Sequence, residues 1–325
     1  MKKNSAKEVA NLAQVSQSTV SRVFTPNTSV SENTKEKVLK AAKALNYRPN
    51  AIARGLITNK SRLIGIAMKE NNNPFYQEVL SLFTDKLKSY GYSVLFVYTT
   101  NDEIEEDEIK HFIEYNIECM VVTDALLSSD LVKKIKDYGI SVLLFNRYDE
   151  KLNCHSVSTD NNFASQSIAK YFDEKGYENL LYVRGCKHTS TNRDREKSFI
   201  NYFKKSNTSV EIINGDYQFE KAYNETIEYL KFHQKPEGIF AANDITALGV
   251  LEAVKAMKIS VPHEIEIIGF DNIKMASWPN NELTTWSQPL EQMVEKSIEI
   301  LMDNTIKEIQ IINMPGELMI RNTTR

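Results

Sequence analysis

The pattern of apolar and polar positions changes once along the chain, near residue 60. Up to that point, apolar residues recur at helical spacing in short segments that begin at serine residues. Beyond it, short apolar runs are separated by amphipathic stretches long enough for helices. Strands and helices in alternation predict parallel sheets covered by helices on both faces. The sequence therefore predicts a small helical unit followed by a larger α/β unit.

Three short helices are predicted in the first unit. Ser5 and Glu8 form a capping box, in which the serine accepts a free backbone N–H and the glutamate reaches back to the cap. After a turn of about three residues, Ser16 can cap a second helix over 17–24. A third helix is predicted over about 31–45. Two helices joined by so tight a turn suggest a helix-turn-helix, although the spacing alone leaves a structural helical hairpin open.

The second predicted helix carries its apolar side chains, led by Val20, on one stripe. The opposite side then holds polar residue types that hydrogen bond to base edges in DNA. These candidate base-reading residues are Gln17, Ser18 and Arg22.

Charge divides at the same place as the hydrophobic pattern. The formal net charge of −3 separates into +8 for residues 1–60 and −11 for the remaining residues. Phosphate neutralisation supplies most of the affinity of proteins for DNA. A basic first unit on an acidic second unit therefore indicates that the first unit meets a polyanion and the second does not.

The composition, with 42% hydrophobic and 26% charged residues, is that of an ordinary soluble protein. Residues 5–13 interleave polar and apolar positions, unlike a signal peptide, and no later run approaches the ~18 apolar residues of a membrane span. The three cysteines have no CxxC spacing, so we expect no disulfide framework and no zinc site. We expect a cytoplasmic protein.

The segment over 47–56, with the sequence YRPNAIARGL, has a proline suited to a helix start. It is too short to be a stable helix by itself, and Gly55 weakens it further. It is either a linker or a segment that folds only when its surroundings are ordered.

Residues 5–56 resemble the DNA-binding headpiece of the LacI/GalR family of bacterial transcriptional regulators. The matching stretches are Lys7–Ala10, Val15–Ser16, Thr19–Val23, Val30–Ser31, Lys37–Ala42 and Tyr47–Arg54. The resemblance implies that the second helix enters the major groove and that paired hinge helices bind the minor groove, where an apolar side chain kinks the DNA. On this basis the expected minor-groove residues are Ala53 and Leu56, and the expected DNA-backbone contacts are Ser16, Ser21 and Arg54.

The sequence departs from the family pattern at Gln14, where relatives usually have glycine. If the backbone there is left-handed, glutamine costs on the order of 1 kcal/mol. Asn46, after the third helix, is a second expected left-handed position.

Eight apolar runs after residue 60 predict strands, and about eight strands in roughly 260 residues favour two doubly wound lobes over one sheet. The predicted strands are 63–68, 94–98, 120–122, 142–145, 180–183, 210–213, 239–241 and 265–270. The named helical stretches between them are 76–90, 164–175, 193–205 and 245–257. Ligands of such folds bind outside the carboxyl ends of the strands, here in the cleft between the lobes.

This second unit resembles the effector domain of the same family, which is similar to periplasmic sugar-binding proteins. The markers include Asn73–Tyr76, Asp160–Asn161, Ala242–Asp244 and Ile268–Asp271. The resemblance implies a headpiece over 1–47, a hinge helix and linker over 48–60, and an effector-binding and dimerisation domain over 61–325. It also implies lobes of about 61–160 plus 290–320, and 161–289 plus the C-terminus.

Several of these markers end predicted strands, where a binding site is expected. Arg195, Asn243 and Asp271 match effector-binding positions, and a guanidinium with carboxylate and amide partners suits a polyol. Phe75 and Tyr217 either stack on a sugar or flat ring, or pack in the core.

Two aspartates and two further residues complete the candidate set. Asp160 and Asp244 are candidate effector ligands, but aspartates after strands also cap helices. Arg193 either lies at the site or forms a structural ion pair. Trp278 has no assigned role.

The sequence carries none of the catalytic or nucleotide-binding motifs sought. There is no HExxH, GxSxG, Walker or GxGxxG motif, and the five histidines are scattered. We therefore expect a regulator that is not an enzyme and needs no metal or cofactor. The expected partners are a near-palindromic double-stranded DNA operator, a second copy of the chain in a homodimer, and a small-molecule effector, a sugar or sugar derivative. A purine or nucleoside effector is the alternative, and a periplasmic-type solute-binding protein is a remote one.

Overall fold

The computed structural model describes residues 5–24, 28–48, 60–70, 73–303, 305–306 and 308–325. The chain forms two compact units, residues 1–62 and 63–325. The predicted minor-groove residues Ala53 and Leu56, and the predicted backbone contact Arg54, lie outside the described residues. Most of the predicted hinge also lies outside them, so the domain boundaries stay a prediction.

The first unit contains three helices, as predicted: α1 (Ala6–Ala13), α2 (Gln17–Val23) and α3 (Glu32–Ala44). The capping box is present, because the Ser5 side chain accepts from the Glu8 backbone N–H and the Glu8 carboxylate accepts from that of Ser5. Ser16 caps α2 by accepting from the Thr19 N–H at 3.1 Å. A small apolar core joins the three helices around Val9, Val20 and Val38, each at most 1% exposed.

The turn between α1 and α2 has the left-handed backbone considered from the sequence. Gln14 has φ 56° and ψ 44°, and it is the C-cap of α1. Asn46 is also left-handed, with φ 47°. Asparagine tolerates this conformation, but glutamine carries the full steric cost of its Cβ atom.

The first lobe of the second unit is a parallel six-stranded sheet in the order β2-β1-β3-β4-β5-β11. Its strands are β1 (Leu63–Lys69), β2 (Ser93–Thr99), β3 (Cys119–Thr123), β4 (Ser141–Phe145), β5 (His155–Thr159) and β11 (Ile311–Met314). Its helices are α4 (Pro74–Ser89), α5 (Glu106–Glu114), α6 (Ser129–Asp137) and α11 (Leu290–Met302).

The second lobe is built the same way, with six strands in the order β7-β6-β8-β9-β10-β12, of which β12 is antiparallel. The strands are β6 (Asn179–Arg184), β7 (Ser209–Asn214), β8 (Gly238–Ala241), β9 (Glu266–Asp271), β10 (Thr284–Ser287) and β12 (Glu317–Met319). The helices are α7 (Asn161–Glu174), α8 (Ser190–Phe203), α9 (Phe219–Phe232) and α10 (Asp244–Ala256), with a 3-10 turn at Lys274–Ser277. The chain passes between the lobes after β5, after β10 and after β11.

The predicted fold class, a helix-turn-helix unit followed by doubly wound parallel sheets in two lobes, is confirmed. The prediction of about eight strands is wrong, because the described residues contain twelve. The eight predicted strands are present, each within one or two residues of the predicted ends. The four missed strands are short or rich in serine and threonine, and therefore lack an apolar run: β5 reads HSVST, β10 TTWS, β11 IINM and β12 ELM.

One face of α4 is buried against the first sheet. Phe75, Val79, Phe83 and Leu87 recur every four residues, and each is at most 2% exposed. This stripe packs on the sheet, with the ring centroids of Phe83 and Phe145 5.1 Å apart. No helix among the described residues is long and apolar enough to cross a membrane.

Candidate functional site

The three predicted base-reading residues lie on the exposed side of α2. Gln17, Ser18 and Arg22 are exposed, whereas Val20 is 1% exposed and anchors the helix to its own core. Ser16 is occupied as the N-cap, and Ser21 is half-buried. The helix thus presents guanidinium, amide and hydroxyl groups, the types that bind guanine and adenine edges in a major groove.

The same unit carries exposed basic side chains on α1, on α3 and after it, and such charges attract phosphates. They are Lys7, Lys35, Lys37, Lys40, Lys43 and Arg48.

In the second unit, Arg195 is buried at the carboxyl edge of the second sheet and is held on three sides. Its Nε donates to Asn161 Oδ1 at 2.7 Å, and its Nη1 donates to the Ala242 carbonyl oxygen at 2.5 Å. Its guanidinium carbon lies 3.4 Å from the centroid of the Phe270 ring. These contacts fix the plane of the guanidinium and leave Nη2 with no partner among the described residues, so it can donate to a ligand.

Asp271 ends β9 close to Arg195. It is 9% exposed, has φ 118°, and accepts from Gln288 Nε2 at 2.7 Å and from the Asn73 side chain. Burial raises the pKa of Asp271 to about 6, despite the opposing effect of the Arg195 charge and of these hydrogen bonds. A buried carboxylate with a raised pKa, on a residue whose backbone has a positive φ, is typical of a binding site. Because Asn73 belongs to the first lobe and Asp271 to the second, their hydrogen bond crosses the cleft.

Three other predicted effector residues have structural duties. Asn243 caps α10 through its Oδ1 atom, which accepts from the Thr246 N–H at 2.9 Å, while Nδ2 has no partner among the described residues. Asp244 is fully buried and accepts from Thr285 Oγ1 at 2.5 Å and from the Ile273 N–H at 2.9 Å. Burial and the nearby Asp271 raise the pKa of Asp244 well above its ordinary value.

Asp160 caps α7 by accepting from the Phe163 N–H at 2.9 Å. Asp160 therefore has the capping role that the sequence left open, whereas Asp244 does not cap a helix and instead holds Thr285 and Ile273.

Tyr217 lies over a glycine beside Arg195 and Asp271. A Cβ atom added to Gly185 would come 2.1 Å from the Tyr217 ring, so the ring occupies the space that any other side chain would need. The Tyr217 hydroxyl is 3.3 Å from Thr191 Oγ1, and the residue is left-handed with φ 60°. Burial raises its pKa, an effect that the charge of Arg195 opposes.

Phe75 belongs to the buried stripe of α4 and packs in the core, at 2% exposure. The neighbouring Tyr76 is half-buried, with its ring edge against Phe75 at 5.2 Å between centroids. Tyr76 lies within electrostatic range of Asp271 and Tyr217, and burial raises its pKa well above the ordinary value. Of the two rings, Tyr76 is the one beside the other site residues.

The first lobe contributes an ion pair that the sequence did not single out. Arg147, after β4, donates to Asp124 Oδ1 at 3.3 Å and to the Ala125 carbonyl oxygen at 2.8 Å. Both charged residues also lie within electrostatic range of Tyr76. The sequence offered one indication of this pair, because Asp124 and Arg147 each follow a predicted apolar strand by two residues.

A second contact between the lobes joins Tyr148 to the start of α8. The Tyr148 backbone N–H donates to Ser190 Oγ at 3.1 Å, and Arg193 Nη2 donates to the Tyr148 hydroxyl at 2.9 Å. Arg193 also pairs with Asp194 at 3.4 Å, so it makes the ion pair that the sequence left open. A cavity of about 210 Å³ opens here, to one side of the Arg195 and Asp271 cluster.

Trp278 ends the 3-10 turn after β9 and is 53% exposed. Its contacts assign it no role in the site.

These two sites define a chain with a helix-turn-helix unit and a two-lobed ligand-binding unit. Residues 5–50 match the family model described as bacterial regulatory proteins, lacI family. Residues 169–324 match the model described as periplasmic binding protein-like domain. The chain therefore carries a helix-turn-helix domain of the lacI type and a periplasmic binding protein-like domain.

Curated relatives align over nearly the full length. The ribose operon repressor of Halalkalibacterium halodurans is 28% identical over 98% of this chain and 96% of its own length. The transcriptional repressor PurR of Photobacterium profundum is 28% identical over 98% of each chain. Among solved structures, the lac repressor dimer bound to operator and an anti-inducer superposes with a TM-score of 0.88 at 22% identity, covering 99% of both chains. The last comparison concerns the fold alone.

Proposed function

We propose that this protein is a DNA-binding transcriptional repressor that acts as a homodimer on a near-palindromic operator under the control of a small molecule. The observation that carries the proposal is the pairing, in one chain, of an exposed polar face on α2 with a buried, pre-organised cluster at the strand ends of two lobes. Curated relatives of the same length are named repressors, which supports the same role here.

On the DNA side, Gln17, Ser18 and Arg22 are proposed to read bases in the major groove. Ser16, Ser21 and Arg54 are proposed to contact the DNA backbone, and Ala53 and Leu56 the minor groove. Two copies related by a twofold axis place two such helices on successive turns of one DNA face, which calls for a near-palindromic site.

On the effector side, Arg195, Asn243, Tyr217 and Asp271 are proposed to bind the small molecule. Asp160 and Asp244 support them from the starts of α7 and α10. Phe75 supports the site from the core, while Tyr76 is the first-lobe ring nearest to it. A ligand that bridges the lobes favours one relative arrangement of them, and this differential binding changes the affinity for DNA.

The proposed effector is a sugar or sugar derivative. The ribose operon repressor is a relative named for a sugar operon, and a solved regulator of this fold is described with bound ribose. A purine is the second candidate, because PurR repressors are relatives of equal identity and the two tyrosine rings also suit a flat base.

No catalytic activity and no cofactor are proposed, since the buried charged groups at the cleft hold one another in place. A DNA-reading role also calls for residence in the cytoplasm, which is part of the proposal.

The test is selection of DNA from a random pool by the full chain. We expect enrichment of a near-palindrome with half-sites about one helical turn apart, or a multiple of it. Arg22→Ala should lose about 1–3 kcal/mol on the selected DNA and much less on random DNA. Lys37→Ala, which removes one exposed charge from α3, serves as the control and should weaken both DNAs alike. Failure to enrich any symmetric sequence would contradict the proposal.

A further inference from the structure

Three segments carry the chain between the lobes, and they contact one another. The first follows β5, the second follows β10 and the third lies between β11 and β12. The Asp160 backbone N–H donates to the Met314 carbonyl oxygen at 2.8 Å, and Thr159 Oγ1 donates to the same oxygen at 3.1 Å. A Cβ atom added to Gly316 would come 2.2 Å from the Ser287 carbonyl oxygen. The first crossing is thus bonded to the third, and the third is packed against the second.

The first crossing also holds one of the two charges proposed to bind the effector. Asn161 begins α7 directly after this crossing and is 5% exposed. Its Oδ1 atom accepts from Arg195 Nε at 2.7 Å, and its Nδ2 atom donates to the Thr159 carbonyl oxygen at 3.2 Å. One amide side chain therefore joins the Arg195 guanidinium to the last residue of β5, a strand of the first lobe.

The second crossing holds the opposite charge. Gln288 directly follows β10 and is 6% exposed. Its Nε2 atom donates to Asp271 Oδ1 at 2.7 Å. Its carbonyl oxygen accepts at 2.8 Å from the N–H of Leu290, the first residue of α11. Because α11 belongs to the first lobe, Gln288 links the Asp271 carboxylate to the start of a first-lobe helix.

A change in the angle between two lobes is taken up by backbone torsions in the segments that join them. Close packing of the three crossings transmits such a change, because packed interiors deform little. The first-lobe ends of the crossings then move relative to the second lobe. Asn161 and Gln288 pass this displacement to the side chains of Arg195 and Asp271, and a ligand that moves these two charges acts back along the same bonds.

We infer that Asn161 and Gln288 are positioning residues that couple the effector site to the angle between the lobes, and so to the affinity for DNA. They act through Arg195 and Asp271 and need no contact with the ligand. This inference rests on the proposed function and deepens it, because it assigns the regulation of the site to two residues at the crossings.

The first test measures coupling separately from ligand affinity. The probe is D-ribose or hypoxanthine, whichever raises the melting temperature of the wild type more. Calorimetry gives the dissociation constant of the probe, and fluorescence anisotropy gives that of the selected DNA without probe and at saturating probe. The ratio of the two DNA values is the coupling factor, and we expect about fivefold or more in the wild type.

Asn161→Ala and Gln288→Met should each bring the coupling factor within about twofold of unity, while the dissociation constant of the probe stays within about tenfold of the wild-type value. Binding is kept because Arg195 and Asp271 each retain their other contacts. Gln288→Met keeps the length of the side chain and deletes Oε1, which has no partner among the described residues.

Asn162→Ala is the matched control for Asn161→Ala. Asn162 is the next residue of α7, and its Oδ1 atom also accepts from a side chain of α8, Ser198 Oγ at 2.6 Å, which is not part of the proposed site. This variant should keep the wild-type coupling factor and the wild-type affinity for the probe.

Two results of the first test overturn the inference. A wild-type coupling factor in Asn161→Ala and Gln288→Met, whatever their melting temperatures, would leave the two residues a merely structural role. Loss of probe binding in both variants would place the residues in the binding site itself.

A second test needs no effector probe, because linkage acts in both directions. Binding of selected DNA should change amide hydrogen exchange in a peptide over 271–278 of the wild type by about threefold or more. Gln288→Met should remove that change, since it breaks the bond between the second crossing and Asp271. An equal change in both proteins, or none in the wild type, would overturn the inference.

Selection of DNA by the same preparations separates the two proposals. A chain that selects a near-palindrome and responds to the probe, but keeps wild-type coupling in the variants, keeps the proposed function and loses this inference. A chain that selects no DNA, or whose DNA affinity ignores a bound probe, loses the proposed function instead.

Discussion

The guanidinium of Arg195 lies over the ring of Phe270, with its central carbon 3.4 Å from the ring centroid. Because Nε and Nη1 donate to Asn161 and Ala242, the orientation of the guanidinium is fixed, while Nη2 has no partner among the described residues. All three contacts of Arg195 come from the second lobe, so its free Nη2 atom can donate to a ligand in the cleft. We therefore propose that both the orientation and the positive charge of the Arg195 guanidinium contribute to effector binding.

We predict that Arg195→Lys abolishes the effector response as fully as Arg195→Ala, although lysine keeps the charge. Lysine cannot make the planar set of contacts to Asn161, Ala242 and Phe270. Both variants leave buried acceptors unpaired and should lose about 1–3 kcal/mol of unfolding free energy, so titrations belong well below the melting temperature. Calorimetry with a sugar that raises the melting temperature of the wild type checks the response, and an unchanged affinity for selected DNA is the control. Retained ligand binding in the lysine variant would contradict the assigned role.

Asp271 should make the protein less stable as pH rises. Its pKa in the folded state is about 6, against an ordinary value of 3.8. Between these values the folded state holds more protons than the unfolded state, so the unfolding free energy falls as pH rises through this window, by about 3 kcal/mol at most. Asp244 is shifted in the same direction and adds to the fall.

Asp271→Asn removes that cost. The variant should be more stable than wild type at pH 7, with a flatter pH dependence between about 4 and 6, and it should no longer respond to the effector. Glu264→Gln is the control, because a hydrogen bond from Lys235 lowers the pKa of Glu264, the opposite direction. Denaturant unfolding at several pH values measures both variants. A steeper fall in Asp271→Asn than in wild type would show that the sign is wrong.

Gln14→Gly should stabilise the first unit by on the order of 1 kcal/mol, because Gln14 is left-handed and glycine adopts that backbone without strain. Gln14→Ala keeps a Cβ atom and should gain almost nothing. Amide hydrogen exchange in α1 and α3 of the full chain is the readout, with about fivefold slower exchange expected for the glycine variant. Equal protection in both variants would mean that the backbone is not strained at this position.

Gly185→Ala should weaken effector binding by displacing the Tyr217 ring, which a new methyl group would meet at 2.1 Å. In a Tyr217→Ala background the three atoms that the methyl group would meet first are gone. The two changes should therefore be strongly non-additive in a double-mutant cycle measured by calorimetry. Additive losses would show that Gly185 acts by another route than Tyr217.

The sequence predicted the three described helices of the first unit almost residue by residue, because their serine caps and apolar stripes are strong local signals. It predicted the second unit where strands are apolar. It missed β5 and β10, whose serine and threonine residues give no hydrophobic run, and with β10 it missed Gln288. It named Phe75, which the phase of α4 buries in the core, and not the neighbouring Tyr76, which lies within electrostatic range of Asp271 and Tyr217.

The sequence predicted which polar residues lie at the ends of strands, but it did not predict which atoms they contact. Position at a strand end predicts that Asp244 lies near Asp271, yet both oxygens of Asp244 are occupied by Thr285 and Ile273. Partner atoms from distant segments decide whether such a carboxylate binds a ligand or anchors the fold, and the local sequence does not contain them.

A small molecule in the lobe cleft is proposed to change how strongly the helix-turn-helix unit binds its DNA. The most direct measurement is the dissociation constant of the full chain for its selected near-palindromic DNA, by fluorescence anisotropy, with and without a saturating sugar such as D-ribose that raises the melting temperature of the protein. We predict a change of about fivefold or more, which Arg195→Ala abolishes while keeping its affinity for that DNA without sugar. An unchanged dissociation constant for the wild type, under conditions where calorimetry shows the sugar bound, would contradict the claim.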